Sequence, residues 1–347
     1  MNELEKKLCE VYNRKYGVYT GNGTTALYLI FKALGMQQKK VIFPAISCTN
    51  PVNSAIYAGY HVDFCDVNVD NYTINIEYLE QMLKTGAYGI VVPTHIYGHV
   101  CDISKVVDLC NKYNVTVIED SAQTTQLYGG VASITSFGHT KIFETTCEGG
   151  MAFTNDYNLY EKINCLKKEL PDKPDNIKYL TDEYRKKYYE IKYSDISYEQ
   201  KLSRIKKLQL NSQNILIYHC EKNNEILNKM SRSDEIKKQR KKKKNLYIDR
   251  LDKKFIRIPK YSQKYDETLW RFSFLYKKDR EKLLKDVRKN GIDISSWYPS
   301  LSMIYKNEHL HNADIVSGQI VNLWLDETHS FEDIVNEINI INRCMEA

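Results

Sequence analysis

Residues 116–155 read TVIEDSAQTTQLYGGVASITSFGHTKIFETTCEGGMAFTN. The stretch begins inside a short apolar run, Val115 to Ile118, which the pattern predicts as a buried strand. That run ends in two acids, Glu119 and Asp120. Acids at the carboxyl end of a parallel strand sit where open α/β sheets bind ligands. Gln123 follows, then Ser136 and a single lysine, Lys141, within SFGHTK, and a Glu-Gly-Gly turn before another apolar segment.

An acid at a strand end, a downstream lysine and neighbouring glycines suggest pyridoxal phosphate. That cofactor needs a lysine amine for its Schiff base, an acid to keep its ring nitrogen protonated, and donors for its phosphate. The plain alternative is a surface lysine in a loop and a helix-capping aspartate, and only the rest of the chain decides between them.

Outward from this stretch, strand and helix alternate. The run YGVYT leads into Gly21-Asn22-Gly23-Thr24-Thr25 and a helical segment, Ala26 to Leu34. Glycines followed by hydroxyl residues at a helix start form an anion site, because free N–H groups and the positive end of the dipole face the ligand. An ordinary N-cap on Thr24 or Thr25 uses the same donors and is compatible. Strands are predicted at Val41–Phe43, His61–Phe64 and Gly89–Pro93. Helices are predicted over residues 3–15 and 74–86 and around Ile103, Val106, Val107 and Cys110. This order predicts an α/β fold, a mainly parallel sheet covered by helices.

Residues 156–245 are rich in Lys, Tyr, Asn and Glu and predict helices that cross from a large to a small domain. The run KKQRKKKK, Lys237 to Lys244, reads as a solvated helix face, since no stacking aromatics are interleaved as a nucleic-acid surface would need. From Lys254 strand character returns in FIRIP and LWRFSFLY. The helix DREKLLKDVRKNG follows, then IDISSWYP and VNLWLD as strand or loop pieces, and a final amphipathic helix. A small C-terminal α+β domain fits this order, dividing the chain into 1–235, large and cofactor-binding, and 236–347, small.

With 42% hydrophobic and 27% charged residues, the 347-residue chain has the composition of an ordinary soluble globular protein. No apolar run of about 20 residues is present, so no membrane insertion is expected. Nine scattered cysteines without a CxxC pair point to reduced thiols in the cytosol and give no metal site.

Five pieces together resemble the sugar-nucleotide aminotransferases of the DegT/StrS family, fold-type I pyridoxal-phosphate enzymes. They are GNGTTAL, VIFPAISCTNPVNSAIYAGY, VDFCDVN, VVPTHIYGHVCDI, and IEDSAQ with SFGHTK and EGGMAFTND, in family order. The resemblance implies a mainly parallel seven-stranded sheet. It implies that Lys141 binds the cofactor covalently, Asp120 pairs with the pyridine nitrogen, and Gln123 lies beside the ring and its phenolic oxygen. Thr24, Thr25 and Ser136 match phosphate ligands. Cys48 falls where many members place a ring-stacking aromatic. Two further departures are Leu202 in KLSRIKKLQ, where the family often has the asparagine of an Asn-x-Arg segment supplied by a neighbouring subunit, and Cys147, where threonine-glycine is more usual.

The implied activity is transfer of an amino group from an amino acid, glutamate first among candidates, to a nucleotide-linked keto-sugar. The setting would be synthesis of cell-surface polysaccharide or a related glycan, by a cytoplasmic homodimer. A related branch dehydrates sugars and carries histidine in place of the lysine; Lys141 argues against it. The alternative is a catalytically degenerate member that binds a ligand or a protein partner without turnover.

Overall fold

The computed structural model describes every residue except Cys147, Glu221, Lys222, Asn224 and Ala347, so the departure at Cys147 lies outside the described residues. Its centre is a seven-stranded sheet built from β1 (Tyr16–Thr20), β2 (Lys40–Pro44), β3 (Val62–Cys65), β4 (Tyr88–Val91), β5 (Thr116–Asp120), β6 (Ala132–Ser136) and β7 (Gly150–Thr154). The spatial order is β1-β7-β6-β5-β4-β2-β3. The run from β6 through β5, β4 and β2 to β3 is parallel, whereas β7 is antiparallel to both β6 and β1. The seven-stranded, mainly parallel sheet expected from the sequence is therefore present. Apolar runs such as Val41–Phe43 and Val117–Ile118 are buried from both sides, as strands covered by helices on two faces must be.

A second, three-stranded antiparallel sheet, in the order β10-β9-β8, comes from β8 (Ile256–Arg257), β9 (Phe272–Tyr276) and β10 (Ile320–Leu323). Its core gathers Tyr247, Phe272, Phe274, Leu323 and Ile338, among others, under the closing helix Phe331–Glu346. LWRFSFLY is strand only from Phe272 onward, so Trp270 and Arg271 stand just before β9. Trp270 N–H donates to Tyr97 O at 2.8 Å, which ties this approach to the large sheet's side of the molecule. Gly98 makes the close fit possible: at φ +92°, a Cβ there would stand 2.6 Å from Leu269 Cα and from Trp270 N.

Two expectations for residues 156–245 are corrected. The region is helical, but the helices Ile177–Tyr193 and Tyr198–Leu210 pack on the large sheet's side rather than crossing between the two cores. Gln209 receives a bond from Asn53 at 3.0 Å, and Tyr57 OH donates to its carbonyl. Of the helices described in this region, Ser233–Arg250 is the one that contributes to both cores, through Ile236 to the first and Tyr247 to the second. Nor is the basic run wholly solvated. Ile236, Arg240, Lys243 and Tyr247 form a buried stripe at helical spacing. Arg240 Nη1 donates to the carbonyls of Leu269 and Trp270, both at 3.1 Å, and Lys243 Nζ donates to Asp326 O. Composition hid this, because the inward stripe is itself made partly of cations whose stems cover apolar surface.

Candidate active site

The carboxyl ends of β2, β4, β5 and β6 converge, and the loops that follow them carry the polar residues. Asp120 ends β5 at 2% exposure. Its Oδ1 accepts from Ala122 N–H at 3.0 Å and its Oδ2 from Thr94 Oγ1 at 3.3 Å, and Ser47 Oγ donates to the same Thr94 oxygen at 3.4 Å. All of these donors are neutral. Burial raises the Asp120 carboxyl above the ordinary aspartate value, offset only in part by the Ala122 N–H and by the charge of Lys141.

Lys141 follows the turn at Gly138–Thr140 and lines a cleft of about 820 Å³ together with Ser47, Cys48, Trp270 and Tyr298. Its Nζ lies 5.5 Å from the centre of the Trp270 ring. Burial lowers the amine below the ordinary lysine value; Cys48 and Asp120 pull the other way, and Arg271 adds to the lowering. Among the described residues, neither Lys141 nor Asp120 has an ion pair within 4.0 Å, although each feels the other's charge. Cys48 caps the helix Thr49–Tyr57 without a side-chain bond and stands half-buried in the cleft wall. Burial pushes its thiol up, so it is a neutral wall here, not a thiolate.

Gln123 is buried behind the wall. Its Oε1 accepts from Tyr97 N–H at 2.7 Å and its Nε2 reaches Tyr298 OH at 3.4 Å. Tyr298 stacks on Tyr97 at 6.0 Å between centroids and on Trp270 at 6.3 Å, so one aromatic tier joins both parts of the molecule.

The expected anion ligands form a separate cluster at the start of helix Gly23–Leu34. Asn22 caps this helix, its Oδ1 accepting from Thr25 N–H at 2.8 Å, which leaves the amides of Gly23 and Thr24 for a ligand. Ser136, at the end of β6, packs there so closely that a Cβ on Gly23 would stand 3.2 Å from its own. Thr24 lies in the same turn. Thr25 differs: it is fully buried, and its hydroxyl donates to Leu216 O at 2.9 Å, so its side chain is engaged within the protein. The chain thus brings Cys48, Asp120 and Lys141 together in one group and Thr24 and Ser136 in another.

Leu202 is also clarified. It lies inside Tyr198–Leu210 at 3% exposure, in the large core, and so cannot correspond to a loop reaching a neighbour. The segment lying over the anion cluster is Leu216–Tyr218. Tyr218 N–H donates to Thr25 Oγ1 at 3.4 Å, and the Tyr218 ring leaves no room for a Cβ on Gly21.

Sequence reading missed Arg271, Trp297 and the tyrosines of Ile177–Tyr193 as lining residues of the cleft. Tyr184 and Tyr188 are four residues apart on this helix, a spacing that would have shown a shared face. Nothing in the sequence showed what that face would meet.

Comparison with known proteins agrees with this architecture. The chain is 32% identical over 176 residues to a GDP-perosamine synthase of Escherichia coli O157:H7, covering 48% of this chain and 47% of that one. It is 33% identical over 173 residues to a dTDP-4-amino-4,6-dideoxy-D-glucose transaminase of Shigella dysenteriae, covering 48% and 46%. The matched stretch thus spans about half the length of these curated relatives. In structure, a putative sugar aminotransferase from Streptococcus pneumoniae, solved in its PMP form, superposes with a TM-score of 0.78 at 18% identity, over 99% of this chain and 91% of that one. The Helicobacter pylori aminotransferase PseC, of pseudaminic acid biosynthesis, gives 0.77 at 18%, over 99% and 90%. Residues 1–214, which hold the whole large sheet and both clusters, match the family's own sequence pattern, and the chain belongs to the DegT/DnrJ/EryC1/StrS aminotransferase family.

Proposed function

We propose that this protein is a pyridoxal-phosphate-dependent aminotransferase that moves an amino group from an amino acid, glutamate first, to a nucleotide-linked keto-sugar. Its place would be in polysaccharide or related glycan synthesis in the cytosol. One observation carries the reading: Asp120, buried and held only by neutral donors, and Lys141, half-buried in the wall of an aromatic cleft, feel each other's opposite charge and have no ion-pair partner among the described residues.

The donor set fits the cofactor. Asp120, with only neutral donors around it, suits a protonated ring nitrogen, a charge-assisted bond that also relieves its own burial. The amides of Gly23 and Thr24, with the Thr24 and Ser136 hydroxyls, suit a phosphate, and Thr25 braces the turn through its N–H bond to Asn22 and its hydroxyl bond to Leu216. Gln123 braces the aromatic tier beside the ring. Cys48 contributes a small neutral wall. Bound there, pyridoxal phosphate supplies an electron sink for the substrate carbon. Lys141 is the group that accepts a proton from that carbon and returns it. Its depressed basicity leaves a larger share of free amine near neutral pH than a solvated lysine has.

The nucleotide-linked substrate is supported by the cleft's rim. Lys192 Nζ lies 5.2 Å from the Trp297 ring centre, and Tyr188 stacks on that ring at 5.6 Å. Arg185 and Arg288 line the same cleft. Rings and cations together suit a base and a diphosphate. No disulfide joins two of the described cysteines, which supports a reducing compartment. A homodimer is part of the proposal, as is a large domain of residues 1–235 and a small one of 236–347. The dimer is checked by light scattering on active protein.

The decisive experiment reconstitutes purified protein with cofactor and follows its visible band. Borohydride should fix the cofactor to the chain, and glutamate should be converted to 2-oxoglutarate in the presence of GDP-, dTDP- or UDP-linked keto sugars. Normal turnover by Lys141→Ala would sink the proposal.

A further inference from the structure

Arg271 stands just before β9 and is 5% exposed. Its Nε and Nη1 have no hydrogen-bond partner, and no carboxylate among the described residues lies within ion-pair distance of it. Its guanidinium lies against aromatic rings: Cζ is 4.7 Å from the centre of the Trp270 ring, and Trp324 packs against it as well. The two acids whose charge reaches it are committed elsewhere. Asp326 Oδ1 accepts from Thr328 Oγ1 at 2.6 Å and His329 Nδ1 at 2.8 Å, and Asp293 Oδ2 from Trp324 Nε1 at 2.8 Å. Burial lowers the guanidinium to about 10, which leaves it charged at neutral pH.

A buried cation with unpartnered donors is unfavourable unless an anion completes it. Arg271 lines the same cleft as Lys141, and both groups lie within 5.5 Å of the centre of the Trp270 ring. A ligand held by one is therefore presented to the other.

We propose that Arg271 binds the carboxylate of the amino-acid donor, so that the donor's amine faces Lys141. The donor's identity rests on the aminotransferase reading; recognition of a carboxylate rests on the geometry alone. The planar fork of guanidinium donors matches a planar carboxylate in two parallel bonds. One cation set between indoles suits a monoanion at the deep end of the cleft. The bulkier, more highly charged phosphates of a nucleotide suit the less buried Arg185, Lys192 and Arg288.

The test uses the cofactor-loaded protein and calorimetric titration with two probes: glutarate, a dicarboxylate that cannot donate an amine, and GDP. Wild type should bind both. Arg271→Gln should weaken glutarate by about 10- to 100-fold, the scale of a lost charge-assisted pair, and leave GDP within about 2-fold. Arg271→Lys keeps the charge but not the fork and should fall between. It also serves as the second variant if the glutamine form is poorly folded. In turnover, KM for glutamate should rise with little change in KM for the sugar.

Unchanged glutarate affinity in both variants, or no glutarate binding by wild type, would overturn the proposal. So would a loss of GDP affinity with glutarate intact, which would make Arg271 a phosphate residue. Arg271-dependent glutarate binding in a protein that aminates no sugar would leave the carboxylate site standing and remove the wider function. Amination that ignores Arg271 would do the reverse.

Discussion

Glu119 and Asp120 are consecutive acids on β5, both buried, and they face opposite sides of the sheet. On one side Glu119 is saturated. Oε1 accepts from His95 Nε2 at 2.9 Å and from Tyr128 N–H. Oε2 accepts from Ser133 Oγ at 2.8 Å and Gly129 N–H at 3.2 Å, with Arg14 at 3.6 Å. Cys101 N–H donates to His95 Nδ1 at 3.2 Å, so that nitrogen accepts and Nε2 carries the proton given to Glu119. On the other side Asp120 has two neutral donors and feels the charge of Lys141 in the cleft wall. Burial would raise both carboxyls, but the bonds from His95, Ser133 and Tyr128 take Glu119 below its ordinary value, while Asp120 stays above. The same strand thus carries one acid whose needs the fold meets and one whose needs it leaves for a ligand. Partners, more than burial, separate structure from function here.

Substitutions can break this contrast, and the largest effect is expected on the cleft side. Lys141→Ala should fold normally, lose the covalently held cofactor, and reduce transamination by at least ~1,000-fold, as removal of the proposed nucleophile and proton carrier implies. Absorbance and single-turnover assays read this directly.

Glu119→Gln should do the opposite, costing roughly 3 kcal/mol of stability because donors arranged for a carboxylate meet an amide. Denaturant unfolding measures it. Since the folded value of Glu119 is depressed, its contribution is present above the ordinary glutamate range and lost as pH falls through the folded value. The gap between wild type and Glu119→Gln should therefore close on acidification. A gap that persists in acid would mean that Glu119 acts by packing alone.

Asp120→Asn should lower turnover by about 100-fold, the scale of one lost electrostatic contact to developing charge, without loss of stability in the cofactor-free protein. The sign is reversed for this acid. Its folded value is raised, so its contribution is full below the ordinary aspartate value and declines as pH rises through the folded one. Near neutral pH the asparagine form should melt no lower than wild type. A strongly destabilised variant turning over at the parental rate would show that Asp120 belongs with Glu119.

The smallest effect tests the saturated side alone. Ser133→Ala removes one of Glu119's donors and should cost about 1 kcal/mol with activity unchanged. Any loss of turnover would mean that the two faces are coupled through β5.

Much of this architecture is legible in the amino-acid sequence itself. Apolar runs punctuated by Gly, Asn and Pro mark the large sheet's parallel strands, because burial on both faces demands continuous hydrophobic residues there. Asp120 and the helix start at Gly23 can be picked out from local chemistry at a strand end and a helix terminus, whereas Lys141 stands out from other loop lysines only with the pattern of the rest of the chain. The sequence did not show that Thr25 turns to Leu216, that Leu202 is core, or that Arg240 and Lys243 are buried, since each depends on a partner far along the chain. Arg271 is the clearest case. As one of 50 basic residues it looks like any other, and only the meeting of Tyr97 with Trp270 sets it at the cleft, unpaired, beside Lys141. Local propensity and periodicity act over a few residues and can be read along the chain, whereas the worth of a charge depends on what surrounds it in space.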